Sequence, residues 1–189
     1  MKADLWKEAL LPSPNADQLW ELFHENSKIG RYNYPPPDEV VLTAMVSMYQ
    51  SLPFATYPAV ELPTQRSPLC LSLAEAITSR ATARNLASLP LSLADLAALL
   101  YYAYGVTRDN VGTNFSRPFR VVPSAGALYP LELFFDTASV EGLESGLYHY
   151  NPLDNVVRRI RHGDNRKLIQ EILVQGDVAA DSSLHCCPS

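Results

Sequence analysis

The chain has 189 residues, 47% of them hydrophobic and 19% charged, with a formal net charge of −5 and a pI near 5.3. This is ordinary globular composition without a basic footprint, which disfavours nucleic-acid binding, and no apolar run approaches the roughly 18–20 residues that span a bilayer. The N-terminus carries acidic residues early and lacks a signal-peptide core, so the cytoplasm is the expected compartment. Cys70, Cys186 and Cys187 have no framework spacing, and no His/Cys pair stands at zinc spacing, so the sequence predicts neither a disulfide scaffold nor a metal site.

Prolines cluster between residues 34 and 68, in "YPPPDE", "SLPFATYP" and "ELPTQRSP". Each removes a backbone donor and restricts its predecessor, so this region holds no long helix except at 38–50. Residues 1–68 read as an N-terminal extension, partly helical and Pro-rich, and 69–189 as a second unit. Within the extension, 15–28 reads as a helix with Leu19, Leu22 and Phe23 on one face and Asn15 as its cap. His24 follows that face and reads as a partly buried or capping histidine rather than a catalytic one. Residues 38–50 fit a short helix or a strand-like run through Val40 to Leu42, and the pattern leaves both open.

In "LSLAEAITSR", Ser72 and Glu75 form a capping-box signature, with Leu73, Ala76 and Ile77 as the apolar face. "PLSLADLAALLYYAYGV" repeats the device, with Ser92 as cap, Asp95 at the third helical position and Gly105 as the stop. Its stripe is Leu93, Leu96, Leu99, Leu100 and Ala103. Tyrosines 101, 102 and 104 are expected at the rim of that stripe, a pocket wall being the alternative. "RPFRVVPSAGALYP" is too proline-interrupted for a regular element. "LELFFDT" reads as a strand with Leu133 and Phe135 facing one way, and "GLYHYN" and "NVVRRI" read as a hairpin across "PLD". "GDNRKLIQEILVQGDV" is amphipathic, with Leu168, Ile172 and Leu173 as its face. Helices beside a mainly antiparallel sheet predict an α+β fold.

Two stretches carry chemistry. In "SRATARNL", Arg80, Thr82 and Arg84 stand at alternate positions just past a helix, and an extended backbone points all three the same way. Two guanidiniums and a hydroxyl suit a phosphate; a solvated loop with two surface arginines is the plainer reading. In "VPSAGALYPLELFF", Ala125, Gly126 and Ala127 sit between two prolines. A flat ring approaches a backbone only where side chains are small, and the groups around Ser124 to Ala127 can bond its polar edge. A tight turn explains the same residues. Glycine-rich phosphate loops and a nucleophile elbow are both missing from the pattern, and His149, within "YHYN", reads as a strand residue flanked by tyrosines.

"RVVPSAGALYPLELFF" followed by "GLESGLYHYNPLDNVVRRI" resembles the SagB-type dehydrogenases, the thiazole- and oxazole-forming oxidase branch of the nitroreductase-like FMN-dependent superfamily. The section through "SRATARNL" and "PLSLADLAALLYYAYGVT" looks like that superfamily's start, and "ELFHENSK…YPAVELP" looks like the extension preceding the flavin domain. The resemblance covers roughly residues 18–180. It implies a nitroreductase-like α+β fold, FMN as cofactor, and an oxidoreductase that dehydrogenates azoline rings in a peptide. It implies that Arg80, Thr82 and Arg84 hold the FMN phosphate and ribityl chain, and that Pro123, Ser124, Ala125 and Gly126 line the isoalloxazine. Ala127 departs from the asparagine of many nitroreductases, and Thr82 replaces a commoner serine. The complete form is expected to be a homodimer that meets a peptide substrate and maturation-complex proteins, with no nucleic-acid or membrane partner. The superfamily's fold continues past residue 189, so the chain is expected to cover the first half of the flavin domain, with uncovered apolar helix faces. Alternatives are a truncated, non-catalytic fragment or accessory module, and an NAD(P)H-dependent flavin or nitro reductase.

Overall fold

The computed structural model describes residues 24, 28, 36–82, 89–112, 117–173 and 184–188. The chain divides into two compact units, 1–41 and 42–189. In the first, His24 is helical, and the rest of the helix expected at 15–28 lies outside the described residues except Lys28. Helix α1 (Asp38–Ser47) resolves the open reading at 38–50. Asp38 and Glu39 place negative charge in its first turn, where the exposed N–H groups favour it. Among the described residues no helix is long and apolar enough to cross a membrane.

The second unit is built on a five-stranded antiparallel sheet. Its strands are β1 (Ala59–Glu61), β4 (Leu133–Thr137), β5 (Gly146–Asn151), β6 (Val156–His162) and β7 (Leu184–Pro188), in the order β1-β6-β5-β4-β7. A small second sheet pairs β2 (Val106–Arg108) with β3 (Phe119–Arg120), so one short strand forms inside the stretch read as irregular. β1 comes from the Pro-rich region, yet it pairs with β6 from Ala59↔Arg158 to Glu61↔Val156. The β5–β6 hairpin follows the predicted strands. Its turn is tied by Asn151, whose Oδ1 accepts from Leu153 N–H at 2.9 Å and whose Nδ2 donates to Asp154 at 2.9 Å. β4 pairs with β5 through Phe134↔His149 and Phe135↔Tyr148, and on its other side with β7 through Phe135↔Cys186.

Both capped helices form as their sequences predict. In α2 (Leu73–Ser79) the Ser72 hydroxyl accepts from Glu75 N–H at 3.3 Å while Ser72 N–H donates to the Glu75 carboxylate at 2.9 Å. In α3 (Leu93–Tyr104) the Ser92 hydroxyl accepts from Asp95 N–H at 3.1 Å. The buried face of α3 is Leu96, Ala97, Ala98, Leu100 and Tyr104, whereas Leu99 is 51% exposed and Ala103 is also exposed. The buried stripe is rotated from the expected one, taking in Ala97 and Ala98 in place of Leu99 and Ala103. Gly105 ends α3 in an extended conformation, φ −67° and ψ 160°, rather than a left-handed one. Glycine is required there for room: a Cβ would stand 2.4 Å from the Tyr101 ring and 2.6 Å from its carbonyl oxygen.

The core joins α3 to the sheet through Leu96, Leu100, Phe135, Tyr148, Tyr150 and Val157. Phe135 is fully buried and stacks on Tyr148 with ring centroids 5.5 Å apart. Burial of a side chain of that size contributes about 2–3 kcal/mol. The periphery is thinner. Helix α4 (Arg166–Ile172) buries Ile169, while the expected face residues Leu168, Ile172 and Leu173 are 44%, 71% and 44% exposed. In α2, Leu73 and Ile77 are 77% and 65% exposed, and none of its residues is buried. The fold is α+β, with helices beside an antiparallel sheet.

Candidate functional site

The small-residue stretch folds as a tight turn. Ser124 is extended, and Ala125–Ala127 make one turn of 3₁₀ helix, closed by Ala127 N–H on Ser124 O at 3.2 Å and Leu128 N–H on Ala125 O at 3.3 Å. Gly126 (φ 62°), Ala127 (φ 51°) and Tyr129 (φ 46°) are all left-handed. Left-handed conformations cost a non-glycine residue about 1–3 kcal/mol, so the turn needs external anchors. It has several. Ala127 and Tyr129 are buried in the core. The Ser124 hydroxyl accepts from Tyr129 N–H at 2.9 Å, and the Tyr129 hydroxyl accepts from Arg120 N–H at 2.9 Å. The Arg120 guanidinium lies between two rings, 4.6 Å from the Tyr104 centroid and 4.8 Å from the Tyr129 centroid. Tyr104 in turn donates its hydroxyl to the Leu131 carbonyl.

Two hollows meet at this turn. An open cleft of about 590 Å³ lies along β2, β3 and the following residues, with Thr107, Arg108, Phe119, Arg120, Pro123, Ser124 and Tyr129 among its walls. A smaller, apolar hollow of about 280 Å³ is lined by Ala103, Tyr104, Leu131, Glu132 and Leu133. Val122 and Pro123 belong to both.

Beside the smaller hollow is a buried acid–imidazole pair. His149 Nε2 is 2.6 Å from Glu132 Oε2, with side-chain exposures of 0% and 12%. The same carboxylate accepts from Ser51 Oγ at 3.1 Å and from Leu52 N–H at 3.0 Å. Burial opposes the ionised form of Glu132, but His149, the Leu52 N–H and Ser51 outweigh it and hold the carboxyl below its ordinary range. The imidazole is packed against Phe54 (4.7 Å) and Phe134 (5.1 Å), and its Nδ1 is buried without a hydrogen-bond partner. The network fastens the 50–54 segment to β5 and to the residue just before β4. A second fastening comes from Arg117, 3% exposed, which donates to the carbonyls of Met45 at 2.6 Å and Met48 at 3.0 Å at the C-terminal end of α1.

Of the residues expected to bind a cofactor, Pro123 and Ser124 line the open cleft, and Ala125 and Gly126 follow in the same turn, both exposed. Arg80 is the extended C-cap of α2 (φ −59°, ψ 121°) and is exposed, as is Thr82; neither is among the residues lining the cleft. Arg84 lies outside the described residues. The Glu132–His149 pair is the feature the sequence reading missed. The available signal was a charged residue at the head of an apolar strand and a histidine in the next one, in strands that pair.

No family model matches the chain. Over 90 residues, 48% of the chain, it is 39% identical to a protein of Methanocaldococcus jannaschii provisionally named a nitroreductase, and spans 42% of that relative. A crystal structure from Ralstonia eutropha, also provisionally named a nitroreductase, is similar in fold, with a TM-score of 0.51 and 22% identity over 69% of this chain and 54% of the other. One from Anabaena variabilis with a like name gives a TM-score of 0.49 at 18% identity, covering 89% of this chain and 31% of the other. The fold is nitroreductase-like, and the chain spans less than two thirds of the length of each of these relatives.

Proposed function

We propose that the chain is part of an FMN-dependent oxidoreductase of the SagB or nitroreductase type. The observation that carries the reading is the placement of Pro123 and Ser124, the start of the small-residue turn, in the wall of a 590 Å³ cleft of a nitroreductase-like fold. The residues present fit a flat heteroaromatic ring. Phe119, Val122 and Pro123 offer carbon surface to its faces. Ala125 and Gly126 are exposed and small, so the backbone is approachable from outside.

When bound, FMN supplies the redox chemistry, and the protein binds, orients and tunes it. In this reading Pro123 to Gly126 support the ring, and Arg80, Thr82 and Arg84 hold the phosphate. The substrate is an azoline-bearing peptide, presented by partner proteins to a homodimer in the cytoplasm. The resemblance of "RVVPSAGALYPLELFF" and "GLYHYN" to the SagB-type branch supports that choice over a nicotinamide-dependent nitro or flavin reductase. The test is FMN titration followed by quenching of flavin fluorescence, with molar mass measured in parallel. The expected result is weak binding by the 189-residue chain and a yellow dimer once it is joined to the second half of the Ralstonia eutropha relative. No flavin on either protein refutes the reading.

A further inference from the structure

Two cations in the walls of the open cleft have no anionic partner among the described residues. The Arg120 side chain is committed to the interior: the residue is 5% exposed, its Nη2 donates to the Gln50 carbonyl, and Tyr104 and Tyr129 cover its faces. Its Nη1 has no hydrogen-bond partner. A buried guanidinium is permanently charged and strongly favours an anion within reach. Arg108, on the opposite strand of the β2–β3 ribbon, is exposed, with its guanidinium carbon 4.8 Å from the Phe119 ring centroid. Glu132, the carboxylate near Tyr104, is already bound to His149, Ser51 and Leu52. Ser124, with its spare proton, stands in the same cleft.

We propose that this cleft is an oxyanion site, in which Arg108 and the Ser124 hydroxyl contact a phosphate or carboxylate group of a small molecule above the fixed positive charge of Arg120. The chemistry is that of a charge-assisted donor set on a planar oxyanion or phosphate, with the deep arginine contributing field and the outer one contributing bonds. The site adjoins the proposed ring support at Pro123 and Ser124 but uses none of Arg80, Thr82 or Arg84.

The full chain is titrated with inorganic phosphate against chloride at equal ionic strength, and the amide signals of Thr107 and Ser124 are followed by NMR. Saturable shifts are expected at both. They should weaken about tenfold or more in Arg108→Ala, the scale of a lost charge-assisted bond, and stay unchanged in Arg161→Ala, an exposed arginine elsewhere. A linear response, or equal saturation in Arg108→Ala and wild type, overturns the proposal. Acetate, titrated in the same way, identifies the source of the oxyanion: saturation by phosphate with none by acetate supports a phosphate group, and saturation by both supports a site that takes either oxyanion. A phosphate response in a chain that takes no flavin, alone or completed, leaves the oxyanion site standing and removes the flavin reading. Flavin binding without any phosphate response or dependence on Arg108 does the reverse.

Discussion

Replacing Glu132 with alanine strands three donors at once. In the native protein the carboxylate accepts from His149 Nε2 at 2.6 Å, Ser51 Oγ at 3.1 Å and Leu52 N–H at 3.0 Å. Each buried donor left unsatisfied costs about 1–3 kcal/mol. Leu52 is exposed, so water recovers part of its loss; His149 is fully buried and Ser51 nearly so. The expected loss for Glu132→Ala is therefore about 3 kcal/mol, dominated by His149 and Ser51. Glu132→Gln keeps the shape and one acceptor oxygen but turns an amide N–H₂ toward donors, and should cost about half as much. The glutamine penalty must also depend on pH. A folded carboxyl pKa held below the unfolded value of about 4.3 gives stability that is present above that value and lost as pH falls through the folded one. Urea unfolding at about pH 7 and about pH 3 measures this, with an unchanged m-value as the check on two-state behaviour. An alanine variant within about 0.5 kcal/mol of wild type, or a wild-type-to-glutamine gap equal at both pH values, would refute the reasoning.

Gly105→Ala should lose about 2–3 kcal/mol, because its Cβ would lie 2.4 Å from Tyr101, and an unshifted thermal midpoint would show that the helix end relaxes freely. Gly126→Val tests the ring support: the nearest atoms to a new Cβ are 3.6 Å away on Leu128, so the cost to folding is the left-handed φ of 62°, about 1–3 kcal/mol, while a ring lying on the turn is displaced outright. Flavin retained at normal occupancy, measured against the thermal midpoint, would sink the ring-support reading. Arg80→Ala should weaken FMN by up to a few kcal/mol and leave riboflavin unaffected; equal effects on the two flavins would return Arg80 to the ordinary surface.

Local signals were the legible ones. Ser72 with Glu75, and Ser92 with Asp95, are read within one helical turn, and both caps form at those residues. The β5–β6 hairpin was also readable, because its two β runs stand either side of a short turn. The face of α3 was misplaced at Leu99 and Ala103, because an apolar stripe of leucines and alanines running through Leu96 and Leu100 fits more than one rotation of the helix, and the buried one takes in Ala97 and Ala98. In α4, counting apolar residues found Leu168, Ile172 and Leu173, but only Ile169 reaches the core of a seven-residue helix. The tight turn at 125–127 was one of the two readings of its small residues; what sequence could not supply was its anchoring by Tyr129, Arg120 and Tyr104. The Glu132–His149–Ser51 network depends on a cross-strand register and on a segment about 80 residues upstream, and neither leaves a local trace.

The strand order has a consequence in time. β5 and β6 are neighbours in sequence, and β4 joins them across a short connection, so these three strands pair at little loop-closure cost. β1 must instead find β6 across about a hundred residues, a closure that is rewarded only after the partner strand exists. Folding should therefore begin as a β4–β5–β6 meander onto which α3 collapses, with Ala59–Glu61 docking afterwards. Truncating Val157 to alanine should slow refolding, whereas truncating Val60 should leave the refolding rate nearly unchanged and hasten unfolding. Stopped-flow kinetics on the two variants would show which edge of the sheet closes last.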